Sequence, residues 1–397
     1  MRAQQIVWSG RSGWIPNKPE SDIAPLVIYF GTREALASGA RYDELRGMFP
    51  KAHILGCSTG GQINNNDVND DEIVAAAIDF DATQLRLCRE EIEDARCSRA
   101  CGEAIGRALA ADDLAGVFVL SDGLNVNGSA LVAGICSVIG SHIPLTGGLA
   151  GDGAAFQETL VGGDCAPLAR TVAAIGFYGP AIRVGHGSAG GWDLFGPRRQ
   201  VTKSTGNVLF ELDGEPALDL YERYLGPEES KGLPSSALLF PIQVYDVKHP
   251  NSAVVRTVLA IDRKARSMTF AGDVPQGWTA QLMRGNLDRL AAGAADAARQ
   301  AREGAAVTRL IDRNNNQCLS ILVSCIGRRL LMGQRTVEEV EAVGAELGAG
   351  TLRLGFYSYG EISPHATSGH CELHNQTMTV TTLAEVCRTE VSQAEVA

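Results

Sequence analysis

The segment Ala52-His-Ile-Leu-Gly-Cys-Ser-Thr-Gly-Gly-Gln-Ile63 contains a short apolar strand that runs directly into a glycine-rich loop. Before it, the apolar strand Leu26 to Phe30 leads into a helical pattern near residues 32–49. A strand, a helix and a second strand that ends in glycines form one unit of an α/β fold. Open α/β sheets bind ligands at the carboxyl ends of their strands, which is where this loop lies.

The same unit occurs twice more in the chain. The second copy has a strand at 116–120, a helix at 128–139 and the loop Thr146-Gly-Gly-Leu-Ala-Gly-Asp-Gly153. The third has a strand at 319–324, a helix at 337–347 and the loop Gly355-Phe-Tyr-Ser-Tyr-Gly-Glu-Ile362. Within each loop a glycine recurs five residues after another, as Gly56 and Gly61, Gly148 and Gly153, and Gly355 and Gly360. This spacing indicates three related substructures, and the alternative is three unrelated tight turns.

The residues between the second and third units are richer in strands. Alternating apolar residues and turn residues predict strands at 171–178, 182–192, 208–212, 238–245, 254–261 and 267–270. Helical patterns occupy 217–224 and the alanine-rich segment 280–302, and 227–234 is expected to be an exposed loop. The expected fold class is α/β, with mixed sheets built from repeated strand-helix-strand units in two modules.

The composition is that of an ordinary globular chain of 397 residues, with 45% hydrophobic and 20% charged residues. A net charge of -11 argues against a nucleic-acid surface, which needs clustered Lys and Arg. No stretch reaches the roughly 18 apolar residues of a membrane span, and residues 1–16 lack the apolar core of a signal peptide. We therefore expect a cytoplasmic protein whose ten cysteines are thiols.

Two segments have the residue types of a reactive or anion-binding site. Gly56-Cys57-Ser58-Thr59-Gly60 fits the G-x-S-x-G pattern of a hydrolase nucleophile, with Ser58 or Cys57 as the reacting group. The turn-rich residues 62–67 that follow favour a glycine-lined binding turn, because a nucleophile elbow continues into a helix. Asn127 or Ser129 is placed to cap the second unit's helix and to leave backbone N–H groups for a small anion.

Candidate metal ligands concentrate near the C-terminus. His365, His370 and His374 lie within ten residues, beside Cys371 and Glu372, but their spacing fits no common structural zinc motif. His249 stands in a turn between two predicted strands, where it is either a surface residue or an axial ligand to a haem iron. Cys97 and Cys101 are one helical turn apart, which is compatible with a redox pair, half a metal site or plain helix packing.

The three glycine loops, together with Phe270-Ala-Gly-Asp-Val-Pro275 and Leu373-His-Asn-Gln-Thr-Met-Thr379, resemble the signature segments of FIST proteins. These separated segments occur in the family's order, and the resemblance covers nearly the whole chain. It implies a FIST N-like module at 24–225 and a FIST C-like module at 226–385.

The resemblance implies a bacterial sensor of small ligands in signal transduction and not an enzyme. A chain of this length also resembles the family's haem-containing nitric oxide sensors, which act with a partner histidine kinase. That subgroup implies haem b, with His249 as the first choice of iron ligand and His374 as the second. Cyclic-dinucleotide enzymes are the other implied class of partner, and a homodimer is compatible with the resemblance.

The rival ligand is a free amino acid or a similar metabolite without haem. The residues expected to hold a ligand lie in the glycine loops and beside them: Gly56, Cys57, Ser58, Gly61, Asn127, Gly148, Asp152, Gly153, Tyr357, Tyr359, Gly360, Glu361 and Asn375.

Overall fold

The computed structural model describes residues 1–18, 23–250, 253–305 and 317–386. Within these residues the chain forms four sheets, three of six strands and one of eight, with helices packed against them. Parallel and antiparallel pairs occur in the same sheets, so the expected α/β fold with mixed sheets is confirmed.

The strands of the first half of the described chain are β1 (Arg2–Ser9), β2 (Gly13–Ile15), β3 (Leu26–Gly31), β4 (His53–Ser58), β5 (Gln62–Asn64), β6 (Asp67–Asn69), β7 (Glu72–Asp79), β8 (Gln84–Glu91), β9 (Leu114–Ser121), β10 (Leu145–Leu149), β11 (Val161–Gly163), β12 (Thr171–Tyr178) and β13 (Ile182–Ala189). Those of the second half are β14 (Asp193–Thr205), β15 (Val208–Leu212), β16 (Glu215–Pro216), β17 (Ile242–Tyr245), β18 (Val254–Arg256), β19 (Val258–Asp262), β20 (Ser267–Phe270), β21 (Thr279–Arg284), β22 (Cys318–Cys325), β23 (Thr351–Ser358), β24 (Gly360–Pro364), β25 (Cys371–His374) and β26 (Met378–Glu385).

The α-helices of the described chain are α1 (Arg33–Leu36), α2 (Ala40–Met48), α3 (Ser98–Leu109), α4 (Gly128–Ile139), α5 (Ala217–Leu225), α6 (Pro227–Lys231), α7 (Leu287–Gly304), α8 (Ile326–Met332) and α9 (Thr336–Leu347). None of these helices is both long and apolar enough to cross a membrane.

Each of the three repeated units forms the centre of its own six-stranded sheet. The two strands of a unit pair in parallel, as β3 with β4, β9 with β10 and β22 with β23. A later antiparallel strand then pairs with the first strand of each unit, as β7 with β3, β12 with β9 and β26 with β22. Helices between the parallel strands make the crossovers, as a parallel pair requires.

The units also exchange strands in a cycle. After its glycine loop, the first unit contributes β5 to the sheet of the third unit, where it pairs with β23. The third unit contributes β24 to the sheet of the second, where it pairs with β10, and β11 follows the second unit and pairs with β4 of the first. Every one of the three sheets is therefore completed by a strand that another unit supplies.

The core lies where these sheets face one another and their helices. Strands β3, β12 and β22 are buried along their whole length, which explains why they are continuous apolar runs without alternation. Phe30 of the first unit packs on Phe356 of the third, with ring centroids 4.5 Å apart. Phe118 of the second unit belongs to the same cluster of buried apolar residues, so the three units share one core.

The eight-stranded sheet is built only from strands between residues 193 and 284, and it has its own apolar core beneath α5. Leu218 and Tyr221, one turn apart on α5, face Phe270 and Ile242 of this sheet. The sheet is thus a second body, inserted in the sequence between the second and third units.

The structure differs from several of the sequence-based expectations. The strand expected at 182–192 ends at Ala189, and the one expected at 238–245 begins only at Ile242, after a 3-10 helix at Ser235–Leu239. The helix expected near 32–49 is split into α1 and α2, because Gly39 between them has φ of +74°. The helix expected at 280–302 begins only at Leu287, after the Asn286 cap, since residues 279–284 form β21 between β14 and β17. The loop expected at 227–234 contains the short helix α6. Strands β1, β2, β8 and β14 are among those that were not anticipated.

Candidate functional site

The three glycine loops meet at one place, which we call the glycine-loop junction (residues 56–61, 148–153 and 355–361). The Gly60 N–H donates to the Tyr357 carbonyl at 2.7 Å, and the Gly151 N–H donates to the Ser58 carbonyl at 2.9 Å. The Tyr359 N–H donates to the Leu149 carbonyl at 3.2 Å, which joins the third loop to the second. The strand exchange described above explains this meeting, because each loop is the point where the chain passes to a neighbouring sheet.

The expected ligand-binding residues of these loops are mostly packed against each other. The side chains of Cys57, Ser58, Tyr357 and Glu361 are fully buried. The Tyr359 hydroxyl bonds to the Asp152 carboxylate and donates to the Gly153 carbonyl at 2.9 Å. The small residues Gly56, Gly61, Gly148 and Gly360 are buried as well. A ligand-binding role for this set stays a prediction, and the contacts observed here hold the three units together.

Ser58 does not have the surroundings of a hydrolase nucleophile. It ends β4, and the next element is the strand β5 instead of a helix. Its hydroxyl oxygen accepts a hydrogen bond from the Leu160 N–H at 2.9 Å. Burial raises the pKa of the neighbouring Cys57 thiol well above its ordinary value, which disfavours the reactive thiolate. The G-x-S-x-G segment serves as a buried turn in this fold.

Glu361 fixes the hairpin that leads into the last strand. Its carboxylate accepts hydrogen bonds from the Ser358 hydroxyl at 2.8 Å and from the Thr377 N–H and hydroxyl at 3.0 and 2.9 Å. Burial raises the pKa of Glu361 to about 7, although these hydrogen bonds act in the opposite direction. Nearby Asn375 is fully buried, and its amide has no hydrogen-bond partner among the described residues.

Asn127, at the start of α4 in the second unit, lies beside a cleft that is separate from the glycine-loop junction. As expected from the sequence, its side chain caps α4 by accepting the Ala130 N–H at 3.1 Å. Its amide nitrogen also donates to the Asp273 carboxylate at 2.8 Å. This bond joins the start of α4 to the Phe270-Ala-Gly-Asp-Val-Pro275 segment, which follows β20 of the eight-stranded sheet.

The cleft at this contact, called here the Arg256 cleft, has a volume of about 200 Å³. Its walls come from α4, from the eight-stranded sheet with the loop after β20, and from β25: Ser129, Val132, Ala133, Val254, Arg256, Asp273, Pro275, Trp278, Cys371, Glu372 and Leu373. The volume is below the roughly 300–1,000 Å³ of sites for drug-sized molecules, so the cleft suits a small metabolite.

Arg256 is the most unusual residue of this cleft, because its charged side chain is only 6% exposed. Nε donates to the Asp273 carbonyl and Nη1 to the Leu373 carbonyl, both at 2.9 Å. Within the described residues Nη2 donates no hydrogen bond, and the guanidinium forms no ion pair. Burial lowers its pKa to about 10, against the attraction of Glu372 and Asp273. A buried cation without a paired anion is costly, which marks Arg256 as a candidate for ligand binding.

Two carboxylates share the cleft with Arg256. Asp273 is held by Asn127, and its N–H approaches the Ser129 hydroxyl at 3.4 Å. Burial raises the pKa of Glu372, while Arg256, His365 and His370 act to lower it. The cleft therefore presents one cationic group and two anionic groups around a partly apolar volume.

Gly272 allows the two sides of the cleft to approach. A Cβ at this position would lie 3.0 Å from both Arg256 Nε and Ser129 Oγ. A larger residue here would press on the guanidinium and on the Ser129 hydroxyl, which favours glycine in this part of the signature.

The two histidines expected to hold haem iron lie in different surroundings. His374 is buried, and its Nε2 is 3.0 Å from the Ser363 carbonyl, so that nitrogen already has a partner. His249 is exposed in the turn after β17. Neither histidine is among the residues that line the Arg256 cleft. Binding of haem through either residue stays a prediction.

The C-terminal histidines do not converge on a metal position. His365 stacks on His374 with ring centroids 5.9 Å apart, and its Nε2 is 3.2 Å from the Ala253 carbonyl. Among the residues that the structure describes, no group of three or more His, Cys, Asp or Glu side chains is arranged to hold a metal ion. Of the three histidines, His374 is buried and His370 is exposed.

His374 should make the fold sensitive to acid. Burial lowers its pKa from 6.5 to about 3, so the folded protein keeps the ring neutral where the unfolded chain binds a proton. Its contribution to stability is complete above pH 6.5 and falls as the pH drops toward 3, by on the order of 1.4 kcal/mol per pH unit. Urea unfolding at several pH values should show a shallower loss in His374→Gln. The exposed His370→Gln serves as the control, and equal slopes in all three proteins would contradict the prediction.

No motif in the sequence points directly to Arg256. One indirect signal exists: Val254 and Arg256 are two residues apart on β18, and therefore on the same face, and both are buried. An arginine on the apolar face of a short strand is unusual, and this pattern could have singled it out. Its partners Asp273, Glu372 and Ser129 are remote in sequence, and only the fold brings them together.

Comparison with known proteins agrees with the motifs. Residues 25–215 match the family model of the FIST N domain, and residues 217–364 match that of the FIST C domain. A protein of Methanocaldococcus jannaschii, named as the uncharacterized protein MJ1623, is 26% identical over 204 residues. That match covers 46% of this chain and 36% of the relative, so the chain spans well under half of the relative's length. With both domain models matched in order, the chain belongs to the FIST family of sensory proteins.

Proposed function

We propose that this FIST protein senses a small metabolite that carries a carboxylate and an amino group, such as an amino acid, bound in the Arg256 cleft. The observation that carries the proposal is the buried, unpaired guanidinium of Arg256 in a cleft of suitable size. FIST domains imply sensing of small ligands in signal transduction, and the proposal adds a site and a ligand class.

The charges of the cleft match a zwitterion. A guanidinium recognises a carboxylate by charge-assisted hydrogen bonds, and Nη2 of Arg256 is available for one. Asp273 and Glu372 supply negative charge for the ammonium group of the same ligand. The apolar wall of Val132, Val254 and Trp278 is suited to a side chain.

The position of the cleft suggests how binding is reported. Helix α4 belongs to the second unit, whereas Arg256 and Asp273 belong to the eight-stranded body. A ligand that contacts both α4 and the eight-stranded body binds best when the two lie close together. Binding therefore increases the population of the close arrangement, by an amount set by the difference in the ligand's affinity for the close and the open arrangements. The surface that a signalling partner reads would then change with occupancy.

The test is a thermal-shift and calorimetry screen of the protein with the common amino acids. A ligand should raise the melting temperature, and Arg256→Ala should weaken its binding by roughly 10- to 150-fold, the range expected for loss of a hydrogen bond to a charged group. Arg256→Lys keeps the charge and should recover part of the affinity, which separates binding from folding. Arg263→Ala, which changes an exposed arginine in the turn between β19 and β20, should bind like the parent.

A ligand of this class that binds equally well to Arg256→Ala would place its site elsewhere. Absence of any binding in the screen would remove the metabolite proposal. The haem alternative has its own readout: absorption spectra of protein made with haem supplied, before and after reduction and nitric oxide. A Soret band that shifts with nitric oxide and is lost in His249→Ala would favour the haem-sensing subgroup.

The finer expectations stay predictions. They are haem b as cofactor, nitric oxide as ligand, a sensor histidine kinase or a cyclic-dinucleotide enzyme as partner, a homodimer and a cytoplasmic location. The proposal above depends on none of them.

A further inference from the structure

Strand β8 forms one edge of the second unit's sheet. It pairs with β12 over all 8 of its residues without a register shift. Within the described chain no strand pairs with its outer side. It contains no proline and no bulge, two devices that prevent pairing at exposed edges. The backbone N–H and C=O groups of this edge are therefore arranged to accept a further strand.

The other edges of the described sheets are less suited to such pairing. Most are strands of three to five residues, namely β2, β6, β11, β18, β19 and β25. The exception is β13, which has 8 residues, two of them glycines. It has no acidic side chain, so two copies of β13 would bring no opposite charges together.

We propose that the β8 edge joins two copies of this chain, by antiparallel pairing of β8 with β8. Two-fold symmetry in a continuous sheet keeps a given side chain on the same face in both copies. An even-numbered residue therefore lies opposite an even-numbered residue of the second copy, and an odd-numbered residue opposite an odd-numbered one. This restricts the possible registers to those in which one residue of β8 lies opposite its own copy.

The charges of β8 select one of these registers. With Cys88 opposite its own copy, Arg86 lies opposite Glu90 of the second copy, and the symmetry forms this pair twice. With Leu87 opposite its own copy, no opposite charges face each other. Shifts further in either direction place Arg86 or Arg89 opposite itself, and like charges directly opposite are destabilising. The register centred on Cys88 is therefore the most favourable.

The two charged groups that this register joins lie ready at the edge. Arg86 Nη1 donates to the Ala108 carbonyl of α3 at 3.2 Å, and the guanidinium lies 4.9 Å from the centre of the Tyr178 ring. These contacts hold the side chain in place and leave its other nitrogens for a carboxylate. Among the residues that the structure describes, neither Arg86 nor Glu90 has an ion-pair partner.

Helix α3 lies over the same edge. It spans β8 and β12, because the Tyr178 hydroxyl of β12 donates to the Leu109 carbonyl at 2.7 Å and Arg86 of β8 reaches the neighbouring carbonyl. Strands lie about 4.8 Å apart, so a helix centred over this pair is roughly 5 Å from the two-fold axis and about 10 Å from its copy. Packed helices are roughly 8–10 Å apart, and the shorter separations need small side chains.

The flank of α3 that faces this axis carries alanines. Gly102 and Gly106 bring the opposite flank of the helix against α4. Ala100, Ala104 and Ala108 follow one another at intervals of one turn on the side away from α4, and each is at least partly exposed. A second copy of α3 thus meets small side chains where the pairing of β8 brings it close.

The test is sedimentation equilibrium of the full-length protein over a range of concentrations. No ligand is added, so the outcome is independent of the proposed metabolite site. We expect twice the mass of the chain. Glu90→Arg places an arginine opposite Arg86 in both pairs and should weaken dimerisation by at least about tenfold. The double variant Arg86→Glu, Glu90→Arg restores opposite charges in the same register and should recover the dimer.

Two further variants complete the design. Glu228→Arg makes the same change of charge at an exposed position on α6 and should dimerise like the parent. Ala104→Gln keeps good helix propensity and should weaken the dimer, because it enlarges the flank of α3 that faces the axis. Circular dichroism of each variant checks that a lost dimer does not come from a lost fold.

Three results would overturn the inference. One is a parent protein that stays monomeric up to concentrations of about 100 μM, which corresponds to an association too weak for a stable interface. Another is a dimer that Glu90→Arg leaves unchanged, which would place the interface elsewhere. The third is a dimer that is lost in Glu90→Arg and not recovered in the double variant, which would contradict the pairing of Arg86 with Glu90.

Discussion

Replacing Glu339 with glutamine should lower the free energy of unfolding by about 3–5 kcal/mol, because it leaves the Arg328 charge buried without its counterion. Both side chains are 0% exposed. Arg328 Nη2 and Nε donate to Glu339 Oε2 at 2.7 and 3.0 Å. Glu339 Oε1 accepts from the Ser324 and Tyr357 hydroxyls at 3.0 and 2.8 Å, so the carboxylate also organises the third unit. Urea unfolding followed by circular dichroism measures the loss.

The adjacent residue provides the control. Glu338 forms an exposed ion pair with Arg335, and Glu338→Gln should leave the unfolding midpoint unchanged. The double variant Arg328→Met, Glu339→Leu removes both charges and should recover most of the stability lost in Glu339→Gln. Equal midpoints for Glu339→Gln and the parent would mean that water reaches this pair and that it is not a buried ion pair.

Replacing Gly147 with alanine should destabilise the protein by about 4 kcal/mol or more, or prevent its folding. Gly147 has φ of +135°, a conformation that other residues rarely adopt. A Cβ would also lie 1.9 Å from the carbonyl oxygen of Val119 on the paired strand β9. The strands cannot separate to admit it, because β24 pairs with β10 on its other side. Thermal and urea unfolding of the purified variant, or its loss from the soluble fraction, reports the effect.

Gly153, in the same glycine loop, is a control that separates the cost of backbone strain from the cost of the Cβ clash. It also has a positive φ, of +72°, but a Cβ there meets no atom within 4 Å. Gly153→Ala should therefore cost only the backbone strain, roughly 1–2 kcal/mol. Comparable losses in the two variants would show that the close approach to Val119 relaxes at little cost.

The repeated units could be predicted from the sequence because their signals are local. Helix α4 was expected at 128–139 and is found there, since Asn127 caps its start and Gly140 follows its end. Strand β21 was not expected, because its residues also have good helix propensity. It is a strand since it lies between β14 and β17, and such contacts between distant segments outweigh local preference.

Only part of the candidate site could be predicted from the sequence. Asn127, the Ala-Gly-Asp segment and the residues near Cys371 had each been noted, but separately. Their convergence depends on how the eight-stranded body sits against α4, and no sequence spacing encodes that contact. The spacing of the glycines in the three loops suggested a ligand site. In the fold, close contacts explain the small residues at several of these positions without any ligand.

The exchange of strands among the three units has a consequence for synthesis on the ribosome. When the first two units have emerged, β5 and β10 still lack β23 and β24, which belong to the third unit and are translated later. Their free edges can pair with other nascent chains until then. The FIST N portion is accordingly a poor candidate for expression by itself, and the translating cell has to shelter this intermediate until β23 and β24 have been made.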